Sequence, residues 1–448
     1  MQKTSQEFFR RKLYSRMLAW KKRDGASALL IQGARRVGKS ALAVEFARRE
    51  YRSYLLIDFS VAAKEVKDLF NDISDPGFLF LRLQAIYRVQ LFERESVIIF
   101  DEVQEAPLAR QAIKHLVEDR RYDYIETGTS ISARKNTIGI LIPSEETKLT
   151  LYPMDFEEFR WALGDTVTIP LLRTAFEKRL TLGETAHRKM MRDFRIYMLT
   201  GGMPQAVRAY LETNRFGTVD AVKREILSVY SEDFGKLDRR GRAGALFDAI
   251  AQELRANAVR YQVAKAIPGE KPGRVARIVK ALGDSMAVNV TYHADDPDLS
   301  LALTKDTERF KLYAADTGLL VTLAFKGKDA TGNPLYCDLF SESLSAGLSF
   351  VYRNAIAQML RASGKELFYH AFPVNGGKKR CETDFLFADG DKIVPVEINS
   401  SGYRTHASLD AFCKRHADRI LSKYLIYTGD LHCDQDVCCL PVYMTPFI

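Results

Sequence analysis

At 448 residues, 46% of them hydrophobic and 27% charged, the chain has the balance of an ordinary water-soluble protein and exceeds one core, so roughly two to four domains are expected. No apolar run nears the ~18–20 residues of a membrane span, the polar N-terminus lacks a signal-peptide core, and six cysteines in so long a chain make no disulfide framework. A membrane-spanning protein and a secreted disulfide scaffold are excluded, a cytoplasmic protein is expected, and the formal charge of +9 with a pI near 9.1 permits a nucleic-acid partner without requiring one.

Part of the positive excess opens the chain, at Arg10, Arg11, Lys12, Arg16, Lys21, Lys22 and Arg23. Such an entry helix steers a phosphate ligand, contacts DNA or is a solvated face, and the last is the commonest outcome. Ala28-Leu29-Leu30-Ile31 reads as a buried strand, and Lys39 to Arg49 as a helix through Leu42, Val44 and Phe46. Between them stands Gly33-Ala34-Arg35-Arg36-Val37-Gly38-Lys39-Ser40, followed by Ala41. GxxxxGKS between strand and helix is a phosphate cradle: the glycines let successive N–H groups turn inward at the positive end of the helix. Lys39 adds a charge for the β- and γ-phosphates, and Ser40 a hydroxyl for Mg²⁺.

A second strand is expected at Tyr54 to Phe59, and a third at Ser96 to Phe100 running into Asp101-Glu102. Carboxylates at the carboxyl end of a buried strand sit where ligands bind in open α/β sheets, so Asp101 is assigned to Mg²⁺ and Glu102 to the general base. Tyr122 to Glu126 is a strand ending in Thr127-Gly128-Thr129-Ser130, hydroxyl groups suited to sensing a γ-phosphate or to a plain polar turn; a further strand lies near Lys148 to Tyr152.

From Phe156 to Lys236 the periodicity is helical, and Gly201-Gly202-Met203-Pro204 reads as a packing or hinge turn within it. Three helices follow, Ala245 to Leu254, Tyr261 to Ala266 and Gly273 to Leu282, and then an extended pair, Val288 to Tyr292 and Ser300 to Leu303, around Asp295-Asp296-Pro297-Asp298. That order is the winged-helix arrangement, with Arg274, Arg277 and Lys280 three apart on one helix face, although the acidic wing tip would repel DNA. Further on, Phe385 to Phe387 and Lys392 to Ile398 make a hairpin about Ala388-Asp389-Gly390-Asp391. His432, Cys433, Cys438 and Cys439 lack the paired CxxC spacing of a zinc site, so the cysteines are expected as core thiols beside strands Tyr424 to Thr428 and Val437 to Met444.

GARRVGKS, the FDEVQ of Phe100 to Gln104, TGTS, the LYPMDFEEF of Leu151 to Phe159 and GGMP together resemble a prokaryotic AAA-type ATPase family of archaeal-type predicted ATPases, whose members carry a C-terminal domain of unknown function. The resemblance continues through Phe310 to Tyr313, Asp316 to Leu320, Thr383 to Phe385 and Pro395 to Glu397, and so covers nearly the whole chain. Together with the pattern of helices and strands it gives an α/β fold: a P-loop AAA core over 1–155, a helical lid over 156–240, a winged helix over 241–330, and an α/β restriction-endonuclease-like domain over 331–448. It also implies ATP on Gly33, Ala34, Arg35, Arg36, Val37, Gly38, Lys39, Ser40 and Ala41, with Mg²⁺ on Ser40 and Asp101; Glu102, Lys39 and Thr127 are the catalytic candidates. In the C-terminal domain Asp384 and Glu397 fill the acid positions of such nucleases, but Asn399 stands where a lysine belongs and Arg353, before Asn354, where similar sequences carry a glutamate. The nuclease site is therefore expected to be disabled, unless Lys378, Lys379 or Lys414 reaches in. The resulting expectation is an ATPase whose nucleotide state controls a DNA or protein partner or self-association. The alternatives are an ATP-gated nuclease and a slow switch, since Arg134, Lys135 and Arg192 are unconvincing arginine fingers.

Overall fold

Five strands, β1 (Ala28–Gln32), β2 (Ser53–Asp58), β3 (Ser96–Asp101), β4 (Asp123–Gly128) and β5 (Glu146–Thr150), lie parallel in the order β2-β3-β4-β1-β5 in the computed structural model. Residues 8–129, 144–327, 332–340, 348–374, 379–399, 406–434 and 436–448 are described. Ser130, Arg134, Lys135 and Lys378 lie outside the described residues, as does the side chain of Lys379. The chain divides into two units, 1–152 with 284–286, and 153–283 with 287–448.

In the first unit β3 and β4 are buried at every position, as strands covered on both faces must be. Helices α1 (Leu13–Lys21), α2 (Lys39–Glu50), α3 (Lys64–Asp68), α4 (Pro76–Tyr87) and α5 (Pro107–Asp119) provide the cover. One core joins Leu55, Ile57, Ile98 and Tyr124 to Leu83 of α4 and Ile113 of α5. Within it Phe59, Phe70 and Phe100 meet edge to face at 5.5–5.7 Å, which fixes the end of β3 immediately before Asp101. Trp20 of α1 and Phe46 of α2 form a separate contact, at 6.5 Å between rings. The order places β1 between β4 and β5, so the loop after β1 opens at the carboxyl ends of the strands, where the connections change direction.

The second unit begins with helices, among them Phe156–Ala162, Glu184–Thr200 and the long Phe216–Leu237. A mixed sheet of eight strands follows, in the order β12-β13-β11-β10-β9-β8-β6-β7. These are β6 (Val288–Ala294), β7 (Lys305–Ala314), β8 (Phe368–Val374), β9 (Lys379–Asp389), β10 (Lys392–Ile398), β11 (Lys423–Tyr427), β12 (His432–Asp434) and β13 (Val437–Pro441). The partner of Val288–Ala294 is Lys305–Ala314 and not Ser300 to Leu303. The latter segment is a turn: Leu301 is buried in the sheet's core, and the Thr304 hydroxyl donates to the carbonyls of Ser300 at 2.8 Å and Asp296 at 3.0 Å. Because β6 also pairs with β8, the sheet runs across position 330, the boundary expected between a winged helix and the C-terminal domain. The expected helix Ala245 to Leu254 is two, Arg242–Asp248 and Ile250–Ala256. Cys438 and Cys439 are buried on β13 and Cys413 on helix Ala407–Arg415, where burial pushes the Cys413 and Cys438 thiols up to about 12, but Cys433, also expected in the core, is exposed on the short edge strand β12.

Three sequence motifs of the second unit converge in one packed junction. Met154 N donates to Gly202 O at 2.7 Å, Gly202 N donates to Asp316 Oδ2 at 2.5 Å, and Leu319 N donates to Asp316 Oδ1 at 2.9 Å. A Cβ on Gly202 would stand 2.0 Å from Met154 O, and one on Gly318 2.6 Å from the Gly201 backbone. Beside this junction the fully buried Lys223 donates to Leu199 O (2.6 Å), Gly318 O (3.2 Å) and the Tyr336 hydroxyl (2.8 Å), while burial lowers its pKa to about 8.

Candidate nucleotide-binding site

The loop after β1 has the backbone of an anion cradle. Arg36 and Gly38 take positive φ, 68° and 96°, so consecutive peptide units tilt their N–H groups to one side just before α2 begins. Gly33 is tightly confined on its other side, where a Cβ would come 2.3 Å from Leu151 O. Gly33, Ala34, Val37 and Lys39 are buried, Gly38 and Ser40 half-buried, and Arg35, Arg36 and Ala41 exposed. Lys39 folds back over the loop, its Nζ donating to Gly33 O at 3.1 Å and Ala34 O at 3.0 Å.

Across from the loop, β3 and β4 deliver the polar residues. Asp101 Oδ1 accepts hydrogen bonds from Ser40 Oγ at 2.7 Å and from Thr127 Oγ1. Glu102 N donates to Thr127 Oγ1 at 3.3 Å. Glu102 itself sits at φ 51°, a left-handed conformation costly for a residue with a Cβ. Gln104 Nε2 donates to Glu102 Oε2, and Gly128 lets it approach, since a Cβ there would stand 2.9 Å from Gln104 Oε1. The structure thus brings Lys39, Ser40, Asp101, Glu102 and Thr127 together, and Thr129 is buried at the end of β4. Two participants escaped the sequence reading. Gln104 gave no signal beyond its place in FDEVQ, and Arg11, counted among surface charges, is only 4% exposed and bonds the loop carbonyl of Val37.

The geometry fits a nucleotide with a divalent cation. Ser40 donates its proton to Asp101, so its lone pairs face the other way, the polarity a cation requires. With the left-handed pair at Arg36 and Gly38 and the Lys39 ammonium, the site carries donors for phosphate and oxygens for a hard metal side by side.

The carboxylates of the second unit are arranged differently. Asp384 Oδ2 accepts from Ile398 N at 2.9 Å, Glu397 Oε2 accepts from Leu409 N at 2.7 Å, and Asn399 N donates to Ile426 O at 3.0 Å. Arg353 Nε lies 3.6 Å from Asp384 Oδ1, so a guanidinium stands against this carboxylate. Burial, then the Asp384 charge, pushes Glu397 up to about 7. Lys311 of β7 is ion-paired with Glu382, and Lys414 is exposed on its helix. Asn354, next to Arg353, is structural: it accepts from Ala314 N at 2.8 Å and donates to Ala314 O at 3.1 Å. Among the described residues no three His, Cys, Asp or Glu side chains are grouped to hold a metal, and no helix is long and apolar enough to cross a membrane. Arg192 is exposed on helix Glu184–Thr200.

Residues 26–160 match a family model described as AAA domain, and residues 191–330 and 349–444 match two models described as Domain of unknown function (DUF8612) and Domain of unknown function (DUF4143). No curated protein matches the sequence. Solved structures similar to the chain include the Walker-type ATPase PABY2304 of Pyrococcus abyssi (18% identity, 71% of this chain and 97% of that one, TM-score 0.43). Two others are Cdc6p of Pyrobaculum aerophilum (14%, 64% and 90%, TM-score 0.24) and PCH-2 of C. elegans (12%, 37% and 46%, TM-score 0.21). Superpositions this loose carry no argument about chemistry. The family match and the parallel sheet with its glycine-containing loop agree without them: residues 26–160 form an AAA-type domain.

Proposed function

We propose that the protein is an Mg²⁺-dependent ATPase whose nucleotide state governs the binding of a partner, and that its second unit recognises that partner without cutting it. The observation that carries this reading is the meeting of Ser40 and Thr127 on one oxygen of Asp101 beside the folded-back Lys39. The loop N–H groups and Lys39 would bind and orient the phosphates, and Ser40 with Asp101 would hold Mg²⁺, which would supply charge neutralisation at the phosphates. Glu102 takes the proton of the attacking water on Oε1, with Gln104 fixing Oε2. Thr127 orders both acidic residues by donating to Asp101 and accepting from the Glu102 amide. Glu102→Gln keeps the side chain's shape and removes the base: ATP affinity should stay within about twofold while turnover falls ~10²-fold or more. Unchanged turnover in a purified ATPase assay would exclude Glu102 as the base.

Charge favours nucleic acid as the partner. Residues 239–282 hold ten basic and three acidic side chains, an excess of seven against +9 for the whole chain. Helix Pro272–Asp284 buries Val275, Ile278, Val279 and Leu282 and exposes Arg274, Arg277 and Lys280. Converting these three to alanine should weaken DNA binding and flatten its salt dependence by about 0.9 log unit per lost phosphate contact. An unaltered salt slope points to a protein partner instead. For the carboxylates of β9 and β10, Arg353 beside Asp384 and the absence of a lysine at Asn399 support a site that does not hydrolyse phosphodiesters.

A further inference from the structure

We propose that Arg11 is a positioning residue of the phosphate-binding loop, locking the Val37–Gly38 peptide in the orientation that presents the Gly38 N–H to phosphate. The proposal rests on the nucleotide reading of that loop and adds a residue outside its motif.

The glycine that makes the cradle possible is also its weak point. Gly38 sits at φ 96°, and a glycine has no Cβ to resist rotation of the peptide before it. A free loop would therefore sample flipped states in which the Val37 carbonyl, and not the Gly38 N–H, faces the ligand, placing an acceptor against an anion. In a trans peptide the C=O and N–H point in opposite directions across one plane, so whatever holds the carbonyl sets the N–H. Arg11 Nη1 donates to Val37 O at 2.9 Å. Its other terminal nitrogen, Nη2, donates to Tyr152 O at 2.6 Å, in the main chain just beyond β5. The planar guanidinium is thus fixed at two points and cannot follow a flip of the loop.

Both ends of this brace are anchored. Tyr14 N donates to Arg11 O at 3.1 Å as α1 begins, and α1 is held by its buried Met17 and Trp20. The segment at Tyr152 is bound to the loop a second time, Leu151 N donating to Gln32 O at 2.7 Å with Gly33 packed against Leu151 O. The side chain is buried, so it is not itself placed to touch a phosphate; its effect passes through the peptide it bonds.

The test compares the full-length wild type with Arg11→Ala and Arg11→Lys by calorimetric titration with Mg·ATP, alongside thermal melting. Arg11→Ala should remain folded at the assay temperature, though melting lower than the wild type, yet bind ATP at least tenfold more weakly, and tens of millimolar guanidinium chloride should restore most of the affinity, whereas ammonium chloride at equal ionic strength should not. A merely structural arginine would give no selective rescue. Arg11→Lys keeps the charge but not the fork, and should lose affinity several-fold without answering to guanidinium. Wild-type ATP affinity in Arg11→Ala, or a loss that guanidinium leaves untouched, overturns the proposal. If Arg11→Ala does not fold, Arg11→Lys decides: folded with wild-type affinity, it overturns the proposal, and folded with weakened affinity, it supports it. A wild-type chain that binds no ATP overturns the nucleotide reading and this proposal together, whereas tight wild-type binding with unaffected variants removes the role of Arg11 alone.

Discussion

Asp101 and Glu102 are sequence neighbours with opposite surroundings, because the chain leaves β3 between them. Asp101 ends an extended strand and collects two hydroxyl donors, whereas Glu102 turns into the left-handed region and is held by Gln104. A second carboxylate shows how environment changes a residue's chemistry. Glu397, pushed up to about 7 from the usual 4.5, binds its proton more tightly folded than unfolded, so its contribution to stability is fully present below pH 4.5 and lost as pH rises through 7. Glu397→Gln should therefore change stability little at pH 4.5, and raise it relative to the wild type by about 1–3 kcal/mol at pH 8, read from urea unfolding at both values. A difference that does not depend on pH would contradict this. Much of the candidate nucleotide site was legible residue by residue, since GxxxxGKS and the acids after Phe100 have a spacing that suggests their chemistry. Arg11 was not, because a cation that bonds backbone carbonyls leaves no pattern distinguishable from a solvated one.

Among the elements, the motifs outside the loop prove to be contacts. GGMP, Met154 and the Asp316 turn are distant in sequence and meet as close backbone approaches, which accounts for glycine at 201, 202 and 318. Gly202→Ala would force a Cβ against Met154 O and N and should destabilise the second unit by about 1–3 kcal/mol or more. Gly217→Ala, with nothing within 4 Å on the helix Phe216–Leu237, should be neutral or stabilising by up to ~1 kcal/mol. Equal effects in chemical denaturation would contradict this account of the junction. In the first unit β1 and β3 were legible as apolar runs that stop short of a glycine or an acid. Lys305–Ala314 was not, because its outer half, with Lys305, Asp306, Glu308 and Arg309, reads as a polar turn and only pairing with β6 makes it a strand.

At the level of the whole molecule, the chain joins an AAA-type domain to a second unit built on an eight-stranded sheet. Length and charge indicated several parts, but not that one sheet would run across position 330: strand pairing between β6 and β8 is a contact over some 75 residues, and no local pattern announces it. The second unit carries a basic excess at 239–282 and sets a guanidinium against Asp384. The most direct test is calorimetric titration of Mg·ATP into the wild type and Lys39→Ala: the wild type should bind, and the variant should bind ~10²-fold more weakly or not at all while melting normally. Equal affinity in the two proteins would contradict the central claim.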